Sequence, residues 1–169
     1  MTGGGMENIK TTRHEDSEKH LYAIVNNFAK YQVSDSARAE YHNFFEDKFK
    51  LNQLITSGLS YSLFETIQNK TSFTKDEWAG FLDISVKTLD RYKEANKRFK
   101  ALQSEKIISM IEVLDRGVDV FGDMIMFKRW LYSNIPALSN TKPIELLNTS
   151  YGKDLILDEL SKIEHGVFA

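Results

Sequence analysis

Cysteine is absent from all 169 residues of the chain. Disulfide bonds, thiolate zinc sites and thiol nucleophiles are therefore excluded together, and packing alone has to stabilise the fold. Proline is almost absent as well. Pro136 and Pro143 are the only two, so the first 135 residues contain no helix breaker of this type. The scarcity of proline favours a mainly helical chain.

Long apolar runs are also missing. No stretch of about 18 apolar residues occurs, and the amino terminus lacks the basic and then apolar pattern of a secretion signal. We therefore expect no membrane contact and a cytoplasmic location. The chain is 41% hydrophobic, which suits an ordinary core, and its net charge of −2 means that any DNA site has to be a local basic patch.

Motifs for catalysis or metal binding are not found in the sequence. The four histidines are scattered, and there is no HExxH, GxSxG or glycine-rich phosphate loop. Asp115, Asp119 and Asp123 recur at a spacing of four residues, which is more typical of a solvated helix face than of a metal site, because hard cations need ligands from several elements. We expect no catalytic residues, no metal and no cofactor.

The sequence pattern divides the chain into four parts. Residues 1–18 contain a glycine run and then polar and charged residues, which predicts a leader without fixed structure and order from about Lys19. Residues 19–57 form an amino-terminal extension with two predicted helices: a short one that includes Phe28 and ends near Tyr31, and one over residues 41–57, ended by Gly58. The other two parts are residues 58–116 and 117–169.

Residues 74–92 carry the signature of two short, closely joined helices. Thr74 and Glu77 have the spacing of a capping box, which predicts a helix from Lys75. Ser85 is suited to cap a second helix that begins at Val86. Two helices with so short a turn are typical of a helix-turn-helix unit, whose second helix enters the major groove of DNA.

The second helix and the residues after it are basic within an acidic chain. Reading the major groove requires a fork-shaped donor such as Arg91, with lysines that neutralise phosphates and small hydroxyls that reach backbone oxygens. A solvated helix face would look similar, and Ser85 would also serve simply as a cap. The candidate DNA-binding residues are Ser85, Lys87, Thr88, Arg91, Lys93, Lys97 and Arg98.

Helical patterns continue to the carboxyl end. A long apolar face runs from Leu102 to Phe121, a bend follows at Gly122, and a helix is predicted over residues 124–131, whose Met and aromatic residues suit a core better than a partner surface. Pro143 begins a short helix. Residues 148–152 are predicted to form a loop, and a last amphipathic helix ends at Gly166.

Several of these residues also carry a family resemblance, which spans roughly residues 58–166. In the first half it rests on residues 58–60 and on residues 84–91. In the second half it rests on Val120-Phe121-Gly122-Asp123, Trp130-Leu131, Pro136-Ala137-Leu138, residues 142–149, Gly152 and residues 163–166. In these residues the chain resembles the Xre/MbcA/ParS antitoxins. The resemblance implies an all-α fold, with an Xre-like helix-turn-helix domain followed by a small helical toxin-binding domain, here with an extra amino-terminal helical segment.

The resemblance also implies a function. The chain would be a non-enzymatic antitoxin that covers the active site of a RES-domain, NAD-consuming toxin. As a homodimer within the toxin–antitoxin complex it would bind double-stranded operator DNA and repress its operon, with two recognition helices about 34 Å apart. Two departures are Tyr92, where many relatives have a second arginine, and Asn140, where a glycine is frequent. Two alternatives stay open: a DNA-binding regulator without a toxin, and a toxin inhibitor that does not bind DNA.

Toxin contact is predicted for the loop before the last helix and for the chain terminus, because binding residues concentrate in such segments. A frayed carboxyl terminus is the structural alternative. The candidate toxin-binding residues are Tyr151, Gly152, Lys153, Glu164, His165, Gly166, Val167 and Phe168.

Overall fold

The computed structural model describes residues 4–27 and 34–166, with side chains for residues 16–27, 34 and 36–166. Within these ranges the chain is all-α as predicted, with no strand beyond an isolated bridge between Ile135 and Thr141. None of the helices there is both long and apolar enough to span a lipid bilayer. The helices are α1 Gly4–Asn27, α2 Asp35–Glu46, α3 Lys48–Ser57, α4 Tyr61–Lys70, α5 Lys75–Phe81, α6 Val86–Glu94, α7 Ala101–Phe121, α8 Met124–Leu131, the 3-10 helix Pro136–Leu138, α9 Pro143–Leu146 and α10 Ser150–Glu164.

Helix α1 begins at Gly4, so the expectation of a leader up to residue 18, with order from about Lys19, was wrong for these residues. No glycine or proline occurs from position 6 to position 57, so nothing stops the helix from propagating toward the amino terminus once its second half is packed. The predicted apolar residue Phe28 and the predicted helix end at Tyr31 lie outside the described residues. Among residues 16–27 of α1, whose side chains the structure describes, Leu21, Ile24 and Val25 are completely buried.

Residues 41–57 form parts of two helices rather than one. Asp47 separates them, because its N–H bonds to carbonyl oxygens at the end of α2 while its carboxylate accepts the Lys50 N–H at 3.0 Å and so caps α3. Because the helix is interrupted at Asp47, different positions face the core before and after this residue. Phe49, which the helix predicted over residues 41–57 would have placed among its apolar residues, is 70% exposed, whereas Leu51 and Leu54 are buried.

Helices α5 and α6 form the helix-turn-helix unit at the predicted positions. Thr74 and Glu77 make both hydrogen bonds of the capping box, and α5 starts directly after Thr74. The Ser85 hydroxyl accepts the Thr88 N–H at 3.0 Å, and α6 starts directly after Ser85. Asp83, in the turn between the helices, takes a positive φ of 54°.

Helix α7 lies at the centre of the fold, with α3, α8 and α10 packed against it. Gly117 lets α8 approach closely, because a Cβ atom there would lie 2.3 Å from the Phe127 ring. Leu102, predicted for the apolar face, is exposed. Of the Met and aromatic residues of α8, Met124 and Phe127 are buried as expected, while Met126 is exposed. The buried apolar residues of α7 are Ile107, Ile108, Met110, Ile111, Val113, Leu114 and Val118.

Candidate nucleic-acid and partner interfaces

Helix α6 presents one face to the core and another to solvent. Leu89 is completely buried, Val86 and Tyr92 are half-buried, and the Tyr92 ring stacks on Phe99 with a centroid distance of 4.7 Å. Tyr92 therefore packs against the fold. Its aromatic contact helps to fix the orientation of the opposite face.

That opposite face is cationic. Lys87 and Arg91 on this face, and Lys97 shortly after the end of α6, are exposed and form no ion pair or side-chain hydrogen bond within the described part of the chain. Two other charges of the helix are engaged: Lys93 pairs with Glu65 at 2.9 Å, and Asp90, in the middle of the helix, pairs with a lysine of α5. Glu94, the last residue of the helix, is exposed. The free positive charge on this surface therefore comes from three of the predicted residues.

Ser85 and Thr88 lie together at the start of α6. Their hydroxyl oxygens are 2.9 Å apart, and the Ser85 hydroxyl also caps the helix. Both hydroxyl groups are at the helix amino terminus, where backbone N–H groups also favour an anion. The capping role of Ser85 is thus seen directly, and a phosphate contact by either hydroxyl stays a prediction.

Arg98 has a different environment from the other predicted DNA-binding residues. Its Nε donates to the Gly58 carbonyl at 2.9 Å, and its guanidinium pairs with Glu18 of α1 at 3.0 Å. The Glu18 carboxylate also accepts the Ser60 N–H at 2.7 Å. Burial raises the pKa of Glu18, but these hydrogen bonds outweigh burial and hold the pKa below its ordinary value. Arg98 thus ties helix α1 to the helix-turn-helix domain.

The predicted loop over residues 148–152 was wrong. Helix α10 begins at Ser150, because the Thr149 hydroxyl accepts the Gly152 N–H at 3.0 Å and caps the helix. Tyr151 and Lys153 therefore lie in the first helical turn with Gly152. The turn-forming residues of this segment were taken for a loop, although a threonine before a helical pattern is also an N-cap signal.

The predicted toxin-binding residues separate into packed and exposed groups. Lys153 pairs with Glu112 at 2.6 Å, and Glu164 pairs with Arg116, so both charges bind other parts of the chain. Gly152 is buried: a Cβ atom there would lie 2.0 Å from the carbonyl oxygen of α9.

The exposed group has an apolar part. Tyr151 is 84% exposed, and Leu155, one turn later on the same face of α10, is 51% exposed. His165 and Gly166 are exposed as well. Leu155 was not among the predicted contacts, although its spacing of four from Tyr151 would have indicated it. Val167 and Phe168 lie outside the described residues.

The aspartates of α7 do not form a solvated face, so that interpretation was wrong. Asp115 and Asp119 line a cavity of about 490 Å³ between α2, α7 and α10, and Asp119 pairs with Arg38 of α2 at 3.5 Å. Burial, with the neighbouring Asp119 charge, raises the pKa of Asp115 to about 7. Asp123 caps α8 instead. Within the described ranges, no three potential metal ligands converge.

A capped pair of short helices with an exposed cationic face, followed by a separate helical region, defines a helix-turn-helix protein with an appended helical domain. Comparison with known proteins gives the family. Residues 50–112 match the antitoxin Xre-like helix-turn-helix domain, and residues 116–166 match the antitoxin Xre/MbcA/ParS C-terminal toxin-binding domain.

Two curated proteins support the same assignment. Antitoxin Xre of Yersinia enterocolitica serotype O:8 / biotype 1B is 31% identical over 116 residues, which cover 68% of this chain and 78% of that protein. Antitoxin Xre of Photorhabdus laumondii subsp. laumondii is 28% identical over 118 residues, covering 69% of this chain and 80% of that protein. The chain belongs to the Xre/MbcA/ParS antitoxin family, as its resemblance implied.

Proposed function

We propose that this antitoxin covers the active site of a RES-domain, NAD-consuming toxin and represses its own operon by binding double-stranded operator DNA through α6. The observation that carries the DNA part is that Lys87 and Arg91 on the exposed face of α6, with Lys97 shortly after the end of that helix, are unpaired and exposed within the described part of the chain. The matched toxin-binding domain supports the toxin part. Cytoplasmic location follows from this function.

Two kinds of side chain would contact the DNA, and each would have a different role. Arg91 is the residue for reading a base, since a guanidinium that binds both acceptors of a guanine discriminates against other bases by about 1–3 kcal/mol. Lys87 and Lys97 lie on either side of it along the chain and neutralise phosphates. In a homodimer the two copies of α6 would enter successive major grooves about 34 Å apart.

The toxin contact is placed on the exposed face of α10 and the chain end. Tyr151 and Leu155 supply adjacent exposed apolar groups, which bury well in a partner pocket. His165 and Gly166 follow at the end of the same helix and lead to Val167 and Phe168. Gly152 is buried, and Lys153 and Glu164 pair with other parts of the chain, so we expect these residues to support this surface rather than contact the partner.

The DNA part is tested by replacing Lys87 and Arg91 with alanine. Operator affinity, measured by fluorescence anisotropy at several salt concentrations, is expected to fall at least about 100-fold, because the base contact of Arg91 and the phosphate contact of Lys87 are lost. The slope of log K against log salt is expected to become less steep by about 0.9 for each bound copy of the chain, because each copy loses one phosphate contact. The matched control replaces Lys19 and Arg129, which removes the same charge from exposed positions outside α6. Parental affinity in the first variant would show that α6 does not read DNA.

The toxin part is tested by co-expressing the chain with its neighbouring gene. Growth arrest and NAD loss caused by that gene alone are expected to be reversed by this antitoxin. A variant with Tyr151 and Leu155 changed to alanine is expected to fold but not to rescue growth, whereas a Lys162→Ala variant of the same helix rescues it. A harmless neighbour, or one that stays toxic beside this chain, would contradict the proposal.

A further inference from the structure

Two side chains, one in α8 and one directly after it, complete the cap of α5. In a capping box the glutamate carboxylate accepts the N–H of the capping residue, as Glu77 does from Thr74 at 2.6 Å. Here the same carboxylate also accepts hydrogen bonds from Lys128, whose Nζ lies 3.2 Å away, and from the Tyr132 hydroxyl. Burial raises the pKa of Glu77, but these donors outweigh burial and lower the pKa to about 2.

Lys128 contacts the residues that lead into α5 as well as the carboxylate that caps this helix. Its Nζ donates to the Ser72 carbonyl at 2.6 Å and lies 4.7 Å from the centroid of the Phe73 ring. The side chains of Lys128 and Glu77 are each about three-quarters buried. One ammonium group therefore fixes both the turn that enters α5 and the carboxylate in its first helical turn.

These contacts cross between the two matched domains. Glu77 belongs to the helix-turn-helix domain, whereas Lys128 and Tyr132 belong to the toxin-binding domain. The first turn of α5 is in turn bonded to α6, because the Lys75 ammonium pairs with Asp90 at 2.6 Å. The first turn of α5 is thus bonded on one side to Lys128 and Tyr132, through Glu77, and on the other to the helix that carries the cationic face, through Lys75.

We propose that Lys128 and Tyr132 of the toxin-binding domain are positioning residues for DNA reading, which fix the first turn of α5 through Glu77 and so set the orientation of α6. The proposal rests on the proposed operator binding. Neither side chain has to touch DNA. Any partner that displaces α8 would change operator affinity, since the helix-turn-helix unit depends on α8 for the orientation of its first helix.

The test compares Tyr132→Phe and Lys128→Met, singly and together, with the control Arg129→Met on the same helix. Operator affinity of the double variant is expected to fall on the order of tenfold, the usual scale for residues that act through a neighbouring element. The salt slope is expected to stay parental, because no phosphate contact is lost. A slope less steep by about 0.9 for Lys128→Met would mean that Lys128 contacts phosphate directly, which overturns the positioning role.

A second measurement does not depend on DNA. Hydrogen exchange of the backbone amides of residues 77–79 in the full chain is expected to speed up in both single variants and not in Arg129→Met, while Lys128→Arg restores slow exchange. Tyr132→Phe removes only one oxygen atom. If the double variant does not fold, operator affinity and hydrogen exchange are measured on this single variant instead.

The outcomes separate this inference from the proposed function. Unchanged operator affinity in folded variants, even with a lower Tm, means that the two residues only stabilise the fold and overturns the inference while operator binding stands. A tenfold loss of affinity with parental exchange in α5 also overturns it. A parent chain that binds no operator DNA overturns both proposals.

Discussion

Replacing Gly152 with alanine is expected to destabilise the chain, although alanine usually favours a helix. The new Cβ atom would lie 2.0 Å from the carbonyl oxygen of Leu146 and 2.8 Å from its carbonyl carbon. Both atoms are backbone, so no side-chain rotation relieves the contact, and α9 and α10 have to move apart by about 1 Å. Overpacking of this kind costs about 1–3 kcal/mol, which exceeds the gain of about 0.5–1 kcal/mol from replacing a helical glycine.

The matched control is Gly80→Ala in α5, since a Cβ atom there meets nothing within 4 Å. Its free energy of unfolding is expected to rise by about 0.5–1 kcal/mol. Urea unfolding followed by tryptophan fluorescence measures both variants. In thermal unfolding the two changes should appear as Tm shifts of opposite sign, at about 2–4 °C for each kcal/mol.

A Gly152→Ala variant as stable as the parent would refute the close approach of α9 as the reason for glycine at this position. Toxin affinity then distinguishes the remaining roles. If the variant is fully stable but no longer binds toxin, Gly152 is a direct toxin contact, as the sequence analysis predicted. If stability falls while toxin affinity of the folded protein is kept, its role is in packing.

Three further predictions concern the amino-terminal extension and its contacts. Folding raises the pKa of Asp115 to about 7, so the parent should lose stability as the pH rises from about 4 to 7. Asp115→Asn should flatten this dependence and raise the free energy of unfolding at pH 8 by at least about 1 kcal/mol. Equal slopes of Tm against pH in the parent and the variant would contradict this prediction. Glu18→Ala removes the carboxylate that accepts the Ser60 amide and should cost about 1–3 kcal/mol in urea unfolding at pH 7, whereas the exposed control Asp16→Ala should change little. Phe49→Ser should alter stability by less than about 0.5 kcal/mol, because the side chain is largely exposed; a larger loss would restore Phe49 to the core.

Helix boundaries were predictable where one residue signals them locally. Thr74 with Glu77, and Ser85, placed the starts of α5 and α6 correctly because an N-cap uses hydrogen bonds that span only three residues. Asp47 and Thr149 carry the same kind of signal and were missed. Asp47 lies inside a segment whose apolar pattern looks like one continuous helix. Thr149 lies among residues that also form turns.

The roles of charged residues were harder to predict, because their partners are distant in sequence. Arg98 looked like a DNA contact in a basic stretch, yet its partners lie 40 and 80 residues earlier. Lys153 and Glu164 are paired with residues 41 and 48 positions away. Composition indicates where positive charge is concentrated, and only the fold determines which charges remain unpaired.

The contact between Glu18 and the Ser60 amide also bears on how long the protein persists in a cell. Helix α1 and the helix-turn-helix domain share one core, so a protease reaches the buried part of the extension only when that core opens. Where opening and closing are faster than cleavage, degradation follows the equilibrium population of open chains. A loss of about 1.4 kcal/mol then multiplies the degradable fraction tenfold, so a change in fold stability alone would change how much of the chain is open to a protease, without any change in gene expression.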